Sequence, residues 1–345
     1  MLARRHRSAQ DGQIASGYAG VLAVAALVFA ALFSLGLDSK VSASVHEAVC
    51  TITGGSNCAA PSGGGGGEHH DSGRADREIY DLECDNDLPG DKIREGSDGP
   101  SGNQDVDDAY DNLGTVYDYY SDRFNQDSFD DHGATIMASV NFCADPGQRG
   151  TVSYWDGERI RFAPGSADAL DTAAHEFTHA ITEHTAGLEY KCQPGALNEA
   201  ISDMFAYNMD PDDTTYGEDR DAGAIRDYAD PGRFGQPGHV DDYDATPNDG
   251  TTATDYGGVH TNSGIPNHAY YLLDQRVGFE KAEQILWKTV TEKLDHDSDF
   301  NDFRAAMLES ARELYGEGDA YDGVDAAFSE VGLDGTWEPP EQDGC

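Results

Sequence analysis

His175, Glu176 and His179 are the residues in this chain best spaced to do chemistry. Residues four apart share one face of a helix, so both imidazoles can reach a single metal ion. The Glu176 carboxylate lies beside that face and can take a proton from an attacking water. H-E-x-x-H is thus the pattern of a zinc site with its own general base. Two surface histidines on an amphipathic helix would share the spacing, so further ligands must be found. A catalytic zinc needs a third protein ligand. Glu199 and Asp203 are again four apart, in Asn198-Glu199-Ala200-Ile201-Ser202-Asp203. Glu199 can complete the coordination. Asp203 can accept the spare ring N–H of a ligating histidine and so fix its tautomer.

The elements that must position these groups are a long helix over about 167–183 and a second helix carrying Glu199 and Asp203. With the flanking stretches they resemble the thermolysin family of zinc endopeptidases. The resemblance rests on His175–Thr182, Thr185-Ala186-Gly187-Leu188, Gly195–Asp203 and Gly257-Gly258-Val259-His260-Thr261-Asn262-Ser263-Gly264-Ile265. Weaker similarity runs from Arg77-Glu78-Ile79-Tyr80-Asp81 to about residue 333. It implies an α+β, two-lobed metalloprotease fold, with a mixed N-terminal lobe, a mainly helical C-terminal lobe and zinc in the cleft. His175, His179 and Glu199 would bind zinc and Glu176 would be the base. His260 and Tyr190 would stabilise an oxyanion, Asp255 would orient His260, and Asp203 would support His175. Arg226 would hold a substrate carbonyl. The family's edge strand for substrate backbone matches Val152-Ser153-Tyr154-Trp155, so Ser153 and Trp155 are expected to bind substrate. Val152 replaces the family's asparagine, which removes one side-chain hydrogen bond, although strand addition itself needs no particular side chain. An insertion around Cys143–Gly147 precedes this strand and is expected to alter the cleft rim. Thr172 and Ile225 fall at positions that imply an apolar pocket. Asp171, Asp210, Asp213 and Glu218 match calcium-binding carboxylates, with Thr215 in place of a further acid. His184, His239 and His268 read as non-ligands.

The 345 residues hold 22 Lys and Arg against 65 Asp and Glu, a formal charge of −43. That balance argues against nucleic-acid binding. It fits calcium binding by oxygen ligands or a surface charged for solubility. The length is ample for two lobes around a cleft, and the catalytic part is expected to act as a monomer on protein or peptide substrates.

Residues 12–37 carry no charge, and Arg4, Arg5 and Arg7 precede them. The apolar core, 17–37, is about the 20 residues that span a bilayer. The flanking arginines favour a cytoplasmic N-terminus and an exported remainder. A signal anchor is expected, with a secreted protein as the alternative if it is cleaved. Asp11–Gly20 also resembles the start of Flp/Tad pilin-like segments, with Gly17 where their glutamate stands. The expected organisation is 1–37 tail plus anchor, 38–75 linker, 76–187 N-terminal lobe and 188–345 C-terminal lobe. Gly63–Gly67 marks the linker. His69-His70 follow as solvated linker. No large pro-region fits within 38–75, so folding is expected to proceed unaided or with help in trans.

Six cysteines fit an oxidising compartment. The expected pairs are Cys50–Cys58, Cys143–Cys192 and Cys84–Cys345, one arrangement among many. Strands are expected at 134–140 and 159–162, and a helix around Tyr117, Tyr119 and Tyr120. Phe300, Phe303, Met307, Ala311 and Leu314 repeat at three and four, ending at Gly316, as a helix face does. The Gly-, Pro- and Asp-rich stretch 227–252 reads as an ordered loop. The leading reading is an extracytoplasmic zinc endopeptidase. The rival is a catalytically silent, surface-displayed binding protein on the same fold, which loss of Glu176, a zinc ligand or His260 would favour.

Overall fold

A five-stranded sheet forms the first layer in a computed structural model that describes residues 76–345, apart from 86, 144–151, 212, 221 and 222. The strands are β1 (Arg77–Asp81), β2 (Asp91–Glu95), β3 (Ile136–Val140), β4 (Tyr154–Trp155) and β5 (Ile160–Arg161), in the order β2-β1-β3-β5-β4. β1, β3 and β5 run parallel, while β2 and β4 are antiparallel edges. Helix α1 (Gln104–Phe124) packs on the sheet through Val106, Ala109, Tyr110, Leu113, Val116, Tyr117 and Tyr120, a three-and-four spacing that puts them on one face. Asn125 ends it in the left-handed conformation at φ 57°.

Helix α2 (Leu170–His184) and helix α3 (Cys192–Met209) lie against each other. From Gly195 to Asn208, α3 is buried at every position, as befits a helix enclosed by protein on all sides. A short hairpin follows, β6 (Thr215–Tyr216) with β7 (Arg226–Asp227). The remainder is helical: α4 (Asp255–Asn262), α5 (Gly264–Val277), α6 (Phe279–Glu292), α7 (Phe300–Tyr315) and α8 (Asp319–Glu330). Asp299 and Asp302 form a reciprocal cap at the start of α7, and Gly316 closes it at φ 77°. Phe300, Phe303, Met307 and Ala311 are buried as expected, whereas Leu314 is exposed.

An aromatic seam joins these layers. Phe124 stacks on Trp287 at 4.4 Å, and Tyr120 touches Phe177, Phe205 and Trp287. A buried carboxylate, Glu283, accepts the Tyr119 hydroxyl at 3.0 Å and pairs with Arg123 at 2.9 Å. Phe177 is fully buried between Tyr120 and Phe129. Phe177→Ala is expected to cost about 3–5 kcal/mol, read as a lower urea midpoint at unchanged slope. An unchanged midpoint would show that the seam collapses around the gap.

Several expectations need correction. The disulfides are Cys84–Cys143 and Cys192–Cys345, not Cys143–Cys192 and Cys84–Cys345. β1 and β3 are parallel neighbours, with Asp81 opposite Val140, so Cys84 and Cys143 leave the sheet at the same end. The zinc-motif helix starts at Leu170 rather than near 167, and the strands are shorter than expected, at 136–140 and 160–161. Among the described residues, no helix is long and apolar enough to cross a membrane. The expected anchor, the linker and Cys50–Cys58 lie outside the described residues.

Candidate active site

Helix α2 presents His175 and His179 one turn apart, with their Nε2 atoms 3.0 Å from each other. Glu199, on α3, brings carboxylate oxygens to 3.4 Å from His175 Nε2 and 3.5 Å from His179 Nε2. The far nitrogen of each ring is held. His175 Nδ1 lies 2.9 Å from Asp203 Oδ1. His179 Nδ1 lies 2.7 Å from Asn198 Oδ1 and 3.1 Å from Ser202 Oγ. Both Nε2 atoms are thereby aimed at one point.

Arg226, on β7, donates to Asp203 Oδ1 at 2.6 Å and reaches within 3.7 Å of Glu199 Oε2. Asn267 donates to the other Asp203 oxygen at 2.8 Å. Across the site, the Tyr190 hydroxyl donates to Glu199 Oε1 and sits 3.2 Å from His260 Nε2. His260 Nδ1 lies 2.6 Å from Asp255 Oδ1, and its backbone N–H donates to Asp255 Oδ2. Asp255 can do both because it starts a turn of four left-handed residues, Asp255 to Gly258, that precedes the histidine. Glu176 is buried beside the ligand pair, and its Oε2 has no hydrogen-bond partner among the described residues.

These residues suit a divalent cation. Three buried carboxyl groups, Glu176, Glu199 and Asp203, stand with one buried guanidinium, Arg226, so acidic groups outnumber the fixed cation and a bound cation would offset them. Glu199 Oε2 is buried without a hydrogen bond among the described residues. Two imidazole nitrogens and a carboxylate oxygen are a zinc donor set. Their ligand atoms all fall within 4.8 Å of one another. The electrostatics agree. Burial opposes a charge on His175, yet Asp203 and Glu199 override it and raise its pKa to about 10. Burial lowers His179 to about 4. Of the two rings, His175 is the one that takes a proton in the metal-free site, while His179 stays neutral, the form in which an imidazole ligates a metal.

Comparison with known proteins separates a family constellation from a chance one. The description "Thermolysin metallopeptidase, catalytic domain" matches residues 68–183, and "Thermolysin metallopeptidase, alpha-helical domain" matches 186–333. Neutral protease NprE of Bacillus pumilus is 41% identical over 235 residues, covering 66% of this chain and 76% of that protein. The chain belongs to the thermolysin family of metallopeptidases. Bacillolysin of Bacillus amyloliquefaciens is 43% identical over 235 residues, covering 66% of this chain but 44% of bacillolysin. The chain therefore spans less than half of that relative's length. The precursor of protealysin, a metalloproteinase from Serratia proteamaculans, superposes with a TM-score of 0.67 at 30% identity. That match covers 76% of this chain and 88% of protealysin's, and it carries the two-lobed α+β fold.

Other expected residues of this thermolysin-family chain fall as follows. β4 is a sheet edge, and among the described residues no strand pairs with its outer side. Trp155 is half-buried there and donates from its indole to Glu183 at 2.6 Å. The Ser153 side chain turns inward to Ser166 at 2.7 Å. Val152 is exposed. Ile225 is exposed beside Arg226, but Thr172 is buried with its hydroxyl against Asp171. Asp171, Asp213 and Glu218 gather around the 215–217 turn: Asp171 takes the Gly217 N–H, and Asp213 and Glu218 share the Thr215 hydroxyl. Asp210 stands at the C-terminal end of α3. Burial raises the Glu218 carboxyl, and the charges of Asp171 and Asp213 raise it further. Among the described residues, ligand atoms converge at His175–His179–Glu199 and at exposed Asp295–His296–Asp297, and not at these acids. His184, His239 and His268 bond Ala180 O, Asp241 N and Gly238 O respectively, away from the ligand pair. Sequence reasoning missed Asn198, Ser202 and Asn267. Asn198 and Ser202 sit beside Glu199 and Asp203 on the same helix, and that adjacency was their one available signal.

Proposed function

We propose that the chain is a zinc-dependent endopeptidase that hydrolyses proteins outside the cytoplasm. The observation that carries this reading is the pair of Nε2 atoms 3.0 Å apart, with Glu199 against them, Glu176 beside them and Tyr190 and His260 opposite. His175, His179 and Glu199 would hold the metal. When bound, zinc supplies Lewis acidity for peptide hydrolysis. Glu176 takes the proton of the attacking water and passes it to the leaving nitrogen. Burial pushes its carboxyl up to about 7, with Glu199's charge adding and His175's opposing, near the optimum for a general base at neutral pH. Tyr190 and His260 donate to the developing oxyanion. Burial, with Glu199, raises the Tyr190 hydroxyl and keeps it protonated. The Glu199 charge, aided by Asp255, raises His260 and favours its donor form. Asp203 and Asp255 hold the two histidines, and Arg226 offers its guanidinium to substrate. The β4 edge at Ser153 and Trp155 is the strand on which a peptide backbone is laid.

Calcium at Asp171, Asp210, Asp213 and Glu218 fits a hard cation's preference for oxygen. The uncharged run 17–37 behind three arginines supports a membrane anchor, with the lobes at 76–187 and 188–345 on the exported side. Extracellular elastase of Staphylococcus epidermidis, 39% identical over 232 residues, is outside the cell by its name.

The test is incubation of the full chain with casein, with zinc and calcium present, beside a sample treated with a zinc chelator. Cleavage confined to the metal-loaded sample is the expected result. No cleavage by a folded, zinc-loaded chain would sink the endopeptidase reading and leave a silent binding protein.

A further inference from the structure

Residues 334–345 lie beyond the stretch that matches the family's helical domain, which ends at 333. They are mostly exposed and contribute little to the core. Yet they return to the two loops that carry Tyr190 and His260. Trp337 starts the return, stacked on Phe300 and held through its carbonyl by Asn301. Gln342 donates to Thr246 O at 2.6 Å and to Gly257 O at 2.9 Å, and accepts the Tyr243 hydroxyl at 2.8 Å. Asn248 donates to Asp343 O and Gly344 O. Cys345 is disulfide-bonded to Cys192, two residues after Tyr190.

An open cavity of about 480 Å³ lies at this segment, lined by Lys191, Gln193, Pro339 and Pro340 among others. The segment is fastened at discrete points: two of them, Gly257 O and Cys192, lie in the catalytic loops, and the others hold it to Tyr243, Thr246, Asn248, Phe300 and Asn301. Gly257 is pressed against the disulfide: a Cβ there would lie 2.9 Å from Cys192 Sγ and 3.3 Å from Cys345 Sγ. The loops also meet at Gly195, where a Cβ would lie 2.5 Å from Val259 Cγ1 and 3.0 Å from the Tyr190 carbonyl carbon. Asp255, Tyr256, Gly257 and Gly258 have φ of 50°, 48°, 86° and 81°, and Cys192 has φ 50°. Non-glycine residues hold such conformations only where the surroundings over-determine them. Here the surroundings include this segment.

We propose that residues 334–345 are a strap in which Gln342 and the Cys192–Cys345 disulfide are positioning residues for the two oxyanion donors, Tyr190 and His260. The inference rests on the peptidase reading for its effect on rate, but not for its effect on loop order. The strap binds neither metal nor substrate; it fixes the 190–192 and 255–260 backbones relative to each other. Its loss therefore acts on turnover, since a donor displaced by an ångström loses most of its transition-state contact.

The test uses the full, zinc-loaded chain and two variants, Gln342→Met and Cys192→Ser with Cys345→Ser. Cys84→Ser with Cys143→Ser is the control for disulfide loss as such, since it removes the bridge at the end of β1 and β3 and leaves the tail fastened. Peptide kinetics, zinc content and amide hydrogen exchange are measured on each. In both strap variants kcat is expected to fall about ten- to a hundredfold, with KM within about twofold and zinc content unchanged. Exchange is expected to quicken in 188–194 and 255–262 and to stay unchanged in α1. The control should keep the exchange of 188–194 and 255–262 unchanged. Unaltered kcat and unaltered exchange in both strap variants overturn the proposal. Faster exchange across the whole chain overturns it too, because that marks general destabilisation. If the unmodified chain binds zinc and cleaves nothing, the peptidase reading fails, and the exchange pattern alone decides the strap.

Discussion

Glu176→Gln is expected to lower kcat by about 10²- to 10⁴-fold while zinc content stays that of the unmodified chain. Glutamine keeps the shape of the side chain but cannot accept the proton of the attacking water. The substituted group is buried beside the ligands and is not one of them, so the donor set of His175, His179 and Glu199 is untouched. The same carboxylate predicts a pH dependence. Its active form is ionised, so the unmodified chain loses rate as pH falls through the Glu176 titration, at or below about 7, the metal-free value. The variant should lack that limb. Comparable turnover in variant and parent would overturn the base assignment.

Glu199→Ala is expected to empty the site. The change leaves two imidazoles and no carboxylate, and it strips Tyr190 and Arg226 of a common partner. Loss of a mere outer hydrogen-bond partner costs a metal site about 10- to 100-fold in affinity, so removal of a direct ligand should exceed that. Elemental analysis after dialysis is the measurement, with Asn267→Ala as a milder comparison because it weakens only the support of Asp203. Full zinc occupancy in Glu199→Ala would remove Glu199 from the ligand set.

The parts of the site that could be read from the chain are those built within single helices. His175 and His179, and Glu199 and Asp203, are pairs at i and i+4, so helical geometry alone brings each pair to one face. Asp255 and His260 are also local, but their meeting depends on a run of left-handed residues that includes Asp255 and Tyr256. Spacing does not announce that run, and only the family resemblance brought the pair forward. The disulfides could not be read. Cys84 meets Cys143 because two strands 59 residues apart lie parallel and adjacent. Cys192 meets Cys345 because the tail folds back across 153 residues. Neither fact has a local trace. Asn198 and Ser202 were passed over for another reason: asparagine and serine on a helix serve many purposes, and only the buried ring nitrogen of His179 shows which one applies here. For the helical part, periodicity went far, as α7 shows, but the exposed Leu314 marks where the buried stripe stops before the helix does.

The three tryptophans are placed so that light emission can follow three regions separately. Trp155 stands on the edge strand with its indole on Glu183, where a peptide paired with that strand, as proposed, would change its surroundings. Trp287 is stacked on Phe124 in the seam between the layers, and it loses that partner only when the body of the protein opens. Trp337 rides on the returning tail against Phe300 and Tyr243. Single-tryptophan versions would therefore give three intrinsic fluorophores, one each for occupancy, unfolding and release of the tail, without any attached dye.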